Sequence, residues 1–198
     1  MAEPLLPCTN ADAVPVVPMS AAQKYTFDLK GWISLPGLLE KEQLESIRAH
    51  QMKFLYERDA LSPEEKDNHG GPSQVLLDHP AVVGVLNEVL SHQALAGEDC
   101  YGFRYDHTYT SHRPAGSAVI FTEGLCHSGT RWNNAERDRL CLFTCYDMVN
   151  SKWGKGCPPA EVIAAMPPKR QTLFRGAWHG MGDVPGINRY YEEENRAV

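Results

Sequence analysis

The side chains able to hold a metal ion or a cofactor include eight histidines and six cysteines, and their spacing decides what they can do. One segment stands out. It runs Ala118-Val119-Ile120-Phe121-Thr122-Glu123-Gly124-Leu125-Cys126-His127-Ser128-Gly129, followed by Arg137-Asp138-Arg139-Leu140-Cys141-Leu142. An imidazole thus follows a short apolar run, and two guanidiniums stand at the head of the next one. Walker A, GxSxG and HExxH patterns are all missing, which argues against a phosphate loop, a nucleophile elbow and a helical zinc site. Gly180 to Gly186 is glycine-rich, yet Pro185 and the lack of a strand–turn–helix context make it a loop. The cysteines show no CxxC. Cys141 and Cys145 fall in a stretch that reads as strand, where four residues span roughly 13 Å. Two ligands each about 2.3 Å from one zinc cannot be so far apart. With no basic region in Met1-Ala2-Glu3-Pro4 to suggest secretion, the thiols are expected to be free and buried.

The elements that must position these residues follow from periodicity. Residues 1–24, with Pro4, Pro7, Pro15 and Pro18, read as a flexible, extended arm. Phe27 and Gly31-Trp32-Ile33-Ser34-Leu35 suggest a short helix or turn feeding a strand, stopped at Pro36-Gly37. Over Glu40 to Arg58, Leu44, Ile47, Gln51, Phe54 and Leu55 share one helical face. Asp78-His79-Pro80 caps a second helix with Val82, Leu86, Val89 and Leu90 in one stripe. After Gly97 the period drops to two. Tyr101, Phe103, Tyr105, His107 and Tyr109 alternate with Arg104, Asp106, Thr108 and Thr110, as in a half-buried strand. His112 to Gly116 breaks it. Ser117 to Phe121 and Arg139 to Tyr146 are further strands, and Pro159 to Ala165 suits a short helix. Helices first and strands after make the class α+β, with residues 25–198 as a single domain.

Composition narrows the partners. Of 198 residues, 42% are hydrophobic and 22% charged, which excludes wholesale disorder. The net charge of −6 argues against a nucleic-acid backbone or an anionic membrane surface as the main partner. The longest apolar run, Ala81 to Leu86, is far short of a bilayer span. Arg196-Ala197-Val198 is no peroxisomal or reticular address, so a cytoplasmic location is expected.

In their order these segments resemble the phytanoyl-CoA dioxygenase family of non-haem iron(II), 2-oxoglutarate-dependent oxygenases. The likeness rests on the turn Ala115-Gly116, the strand Ala118 to Phe121, His127 in the loop after it, and Arg139 opening the next strand. Phe27 with Gly31-Trp32, the helix at Glu40, Asp78-His79-Pro80, Tyr101 to Pro114 and Pro167 to Gly176 keep the family's order, covering nearly everything beyond the arm. The resemblance implies N-terminal helices packed on a double-stranded β-helix of the jelly-roll or cupin type. It implies iron(II) and 2-oxoglutarate as cofactors, and hydroxylation of an unactivated C–H of a small organic or acyl substrate. Such an iron takes two imidazoles and one carboxylate on one face. His127 would supply an imidazole, and Arg139 would take the far carboxylate of 2-oxoglutarate bidentately. Arg137 is the other candidate for the arginine, and Trp132 or Tyr105 would line the pocket.

The chain departs from the family's pattern in its middle. The other two ligands should come from a His-x-Asp or His-x-Glu. The residues two positions after the eight histidines are Met52, Gly71, Ala81, Ala94, Tyr109, Pro114, Gly129 and Met181, none of them acidic. An eight-stranded barrel needs roughly 75–95 residues, and Tyr101 to Tyr146 offers about half of that. The expectation is a partial barrel joined near Arg113 to Gly116, with unpaired edges that favour a homodimer. Substitutes for the missing ligands are poor: Asp106 and His107 are neighbours that a regular strand points apart, His112 lies in a Pro-bounded turn, and His69 in an upstream loop. Three readings follow. One is an active oxygenase. A second is a catalytically inactive, metal-free remnant serving as a binding or dimerisation module. A third is an unrelated small β-rich binding domain.

Overall fold

The structure is a computed structural model and describes residues 6–92, 95–111, 117–128, 133, 141–153 and 157–177. Ser20 starts the first helix. Its hydroxyl accepts the Gln23 N–H, while the Gln23 side chain accepts the Ser20 N–H at 2.8 Å, a reciprocal cap. Helix α1 (Ala21–Lys30) ends at Gly31, whose φ of 72° suits the left-handed C-terminal position, and runs straight into β1 (Trp32–Leu35). The helix therefore begins within the stretch read as arm. Residues 6–19 of that stretch are not a free tether. Asn10 closes a turn by accepting the N–H groups of Asp12 and Val14 on its side-chain oxygen. Val17 donates to the carbonyl of Pro80, and Pro7, Asn10 and Met19 are buried.

Helix α2 (Lys41–Tyr56) starts at Glu40, whose N–H donates to the Gln43 side chain. Its buried residues are Ile47, His50 and Gln51, and Leu55 is exposed. The inward face is thus partly polar and turned away from the apolar stripe. A loop of 3₁₀ turns follows, at Arg58–Ala60, Pro63–Glu65 and Gly71–Leu76. Helix α3 (Pro80–Val89) is capped by a ring nitrogen of His79 that accepts the Ala81 N–H at 3.3 Å. Five successive residues, Val82 to Leu86, are buried, so both sides of this helix are covered while Val89 at its end is exposed.

The strands β2 (Phe103–Ser111), β3 (Ala118–Phe121) and β4 (Cys141–Met148) complete two antiparallel ribbons. β1 pairs with β3, Trp32 opposite Phe121 and Leu35 opposite Ala118. β2 pairs with β4 from Phe103 opposite Met148 to Ser111 opposite Cys141, with a bulge between Tyr105 and His107. Among the described residues both sheets are two-stranded and no barrel closes, so the mixed class holds in its coarse form. Of two short helices, α4 (Ala160–Ala164) packs against the Pro63–Glu65 turn, and α5 (Pro168–Gln171) leads into a 3₁₀ turn at Thr172–Phe174 that packs against β2. The core gathers Ile33 and Leu35 of β1, Leu77, Val83, Tyr101, Phe103 and Leu173. No helix among the described residues is long and apolar enough to cross a membrane.

Candidate functional site

His127 lies in the exposed loop after β3, not on a strand. Its Nδ1–H donates to the Leu125 carbonyl at 2.7 Å, and its ring rests on Phe121 with centroids 4.6 Å apart. Because a carbonyl only accepts, this bond fixes the proton on Nδ1 and leaves the lone pair on Nε2. Arg139, Arg137, Trp132 and His112 lie outside the described residues. Tyr105, expected on a pocket wall, sits in the core between the Phe174 ring at 5.0 Å and the His69 ring at 5.7 Å. Burial pushes its hydroxyl well above the ordinary tyrosine range.

The β2–β4 ribbon buries polar residues, Arg104 and Asp106, that alternation places on the open face. Phe103, Arg104, Tyr105 and Asp106 are all buried, so this end of the strand is covered on both faces. The bulge after Tyr105 adds a residue out of step and re-aims the side chains around it. As a result Asp106 and His107, neighbours in sequence, meet side by side with Oδ2 and Nδ1 2.6 Å apart. The other Asp106 oxygen accepts the Trp153 N–H at 2.8 Å. Across the ribbon Arg104 faces Asp147, yet its guanidinium donates to the carbonyls of Ser151 and Arg175. Asp147 is raised above the usual carboxylate range by burial and by the nearby Asp106 charge. Burial also pushes the Cys145 thiol, paired opposite His107, up to about 11, which is the reverse of an activated nucleophile. The six cysteines are free, but Cys8, Cys126 and Cys157 are exposed and the other three only half-buried, so the expectation of buried thiols is corrected. Cys8, Cys100, Cys126 and Cys157 sit on loops, and Cys141 and Cys145 on β4.

Further buried imidazoles serve the fold. His50 binds Ser73 Oγ through Nδ1 at 2.9 Å and donates from Nε2 to the Glu65 carbonyl at 2.9 Å. Ser73 is fully buried, so this serine–histidine contact holds the 3₁₀ loop and meets no solvent. His69 is also fully buried, with Nε2 2.8 Å from Thr108 Oγ1 and 3.2 Å from Thr144 Oγ1. Its Nδ1 has no hydrogen-bond partner among the described residues, and burial pushes the ring down to about 3.

The strongest polar tie lies elsewhere. Asp78, at the mouth of α3, accepts the Tyr101 hydroxyl and the Ala11 N–H on one oxygen. Its other oxygen accepts from Arg170 Nε at 2.9 Å. Arg170, almost wholly buried, also reaches Asp12. One ion-paired knot thus joins the arm, α3, the entry to β2 and α5. Asp78 was visible in the sequence only as a helix cap, and no local signal pairs it with Arg170.

These residues do not assemble an iron(II) site of two imidazoles and a carboxylate. His127 belongs to the β1–β3 side, Asp106 and His107 to the other ribbon, and Asp106 already holds an N–H and an imidazole. Among the described residues no group of three His, Cys, Asp or Glu side chains that could hold a metal ion comes together. No family model matches the chain, and neither a curated protein nor a solved structure matches it.

Proposed function

We propose that the chain is a phytanoyl-CoA dioxygenase-like fold with a partial barrel, working in the cytoplasm as a metal-free binding and dimerisation module. The observation that supports this most is where the polar side chains are spent. Asp106, His50, His69 and Asp78 all bind groups of the fold itself. The sequence supports the same reading, since no histidine is followed two residues later by a carboxylate.

A second reading, the iron(II)/2-oxoglutarate oxygenase acting on a small organic or acyl substrate, draws on one specific feature. The Nδ1–H of His127 bound to a carbonyl, with Nε2 carrying the lone pair, is the arrangement in which metal-binding imidazoles are commonly held. An anaerobic titration with iron(II) and 2-oxoglutarate, followed by the charge-transfer absorption of the chelated cofactor, separates the two. The expected result is no band from a folded protein. A one-to-one band that His127→Ala abolishes would overturn the module reading and establish the second.

A further inference from the structure

Two of the six cysteines lie on segments 92 positions apart that meet at the end of α3. Asn87 donates from its side chain to the Pro7 carbonyl at 3.4 Å. Ser91, four residues on and so about one turn further along, donates its hydroxyl to the Tyr101 carbonyl at 3.0 Å. Cys8 follows Pro7 and Cys100 precedes Tyr101. The end of α3 thus holds the two thiol-bearing stretches side by side.

Lys169 ties the same stretches from the α5 side. Its ammonium donates to the Thr9 carbonyl at 2.6 Å and lies 5.1 Å from the centre of the Tyr101 ring. Burial lowers this ammonium below the ordinary lysine range, and the charges of Asp78, Asp99, Cys8 and Cys100 act against the lowering, so both sulfurs are close enough to be felt. A second cation, the Arg175 guanidinium, stands 3.8 Å from Cys100 Sγ. Cys8 is exposed and Cys100 half-buried. Cys141 and Cys145 of β4 cannot bridge each other, since four residues of strand hold them roughly 13 Å apart and a disulfide needs Cα atoms within about 7 Å.

We propose that Cys8 and Cys100 form a redox-switched clip: the chain takes up a Cys8–Cys100 disulfide from a small-molecule disulfide, such as oxidised glutathione, and so fastens residues 6–19 to the entry of β2. The exposed Cys8 reacts first, because access governs the first exchange. Its thiolate sulfur attacks one sulfur of the reagent. A Cys8–glutathione bond forms, the reagent's S–S bond breaks, and the departing half takes up the proton that Cys8 gave to water. Lys169 and Arg175 offer cations to the carboxylates of the tripeptide held on Cys8. The Cys100 sulfur then attacks Cys8 Sγ and expels the second glutathione, which leaves as a thiol with the Cys100 proton. Two protein thiols are oxidised, and one reagent disulfide is reduced to two thiols. The parts that move are the arm, held in the reduced chain by hydrogen bonds at Pro7, Thr9 and Ala11, and the flexible Lys169 stem. Disulfides of the cytoplasm are usually transient and redox-sensing, which suits a clip that reduced glutathione opens.

Non-reducing peptide mapping by mass spectrometry tests this on the full chain, equilibrated with oxidised glutathione at low protein concentration. The dominant linkage should be an intrachain bridge from Cys8 to Cys100, lost again on adding reduced glutathione. In Cys100→Ser, Cys8 should instead stay capped by one glutathione. Protease cleavage within the arm should be about fivefold slower in the oxidised than in the reduced wild type, and Cys8→Ser should be indifferent to the oxidant. In concentrated urea the preference for this pair should vanish, because the fold supplies it. A folded wild type that carries glutathione on Cys8 and Cys100 separately, or that bridges another pair in preference, overturns the clip. A preference for Cys8–Cys100 that persists in urea does the same, since the fold would then not be choosing the pair. The module reading is untouched by these outcomes, because it falls on the iron titration.

Discussion

His69 shows how one buried side chain makes the whole chain sensitive to acid. Its ring is fully buried, and burial holds it down to about 3 against an ordinary value of 6.5. The unfolded chain therefore takes up a proton that the folded chain refuses. Stability is complete above pH 6.5 and falls as the pH drops toward 3, by about 1.4 kcal/mol for each pH unit. Between pH 7 and pH 5 the loss should reach about 2 kcal/mol, read from urea midpoints. Asp67 and Asp147 act in the opposite sense, since burial raises both and the fold prefers them protonated. Their effect grows only near the unfolded carboxylate range. His69→Gln isolates the cause: it should lower stability at pH 7 and flatten the slope between pH 7 and 5. A slope unchanged in the variant would place the acid sensitivity elsewhere.

At the scale of elements, the arm and α3 are joined by a contact that admits no side chain. A Cβ built on Gly84 would lie 1.8 Å from the Val17 carbonyl oxygen, and that atom belongs to backbone that cannot swing aside alone. Gly84→Ala should cost about 1–3 kcal/mol by overpacking, with residues 6–19 lifting off α3 to relieve it. Limited proteolysis should then cut within the arm several-fold faster than in the wild type, and an unchanged digestion rate would refute the contact. Most of the elements were legible in the sequence. The periodicity at Leu44 and Ile47 places α2, Asp78-His79-Pro80 opens α3, and alternation from Phe103 marks β2. The Ser20–Gln23 cap was equally readable and would have started α1 at Ala21 rather than near Tyr25. What was not legible is relational. The bulge at Asp106 changes which neighbours touch, and strict alternation cannot foresee it. Asp78 meets Arg170 across 92 positions, and neither residue looks unusual where it stands. For the site, His127 stood out only through the family resemblance, and its place in a loop beside Phe121 depends on tertiary packing.

For the whole molecule, the question is what the cooperative unit is. The Asp78–Arg170 knot ties the arm, the start of α3, the entry to β2 and α5 into one body. The β1–β3 ribbon hangs on that body by the inward residues Ile33, Leu35 and Ile120 and is two-stranded among the described residues. If the chain dimerises, as the module reading holds, folding and association are one equilibrium, and stability must depend on protein concentration. Each tenfold rise should add about 1.4 kcal/mol to the apparent stability of the dimer, moving the urea midpoint upward. Breaking the body itself, for instance with Asp78→Asn, should lower the midpoint equally at every concentration, since the knot lies within one copy. Wild-type midpoints that stay constant over a hundredfold range would show that a single chain is the folding unit.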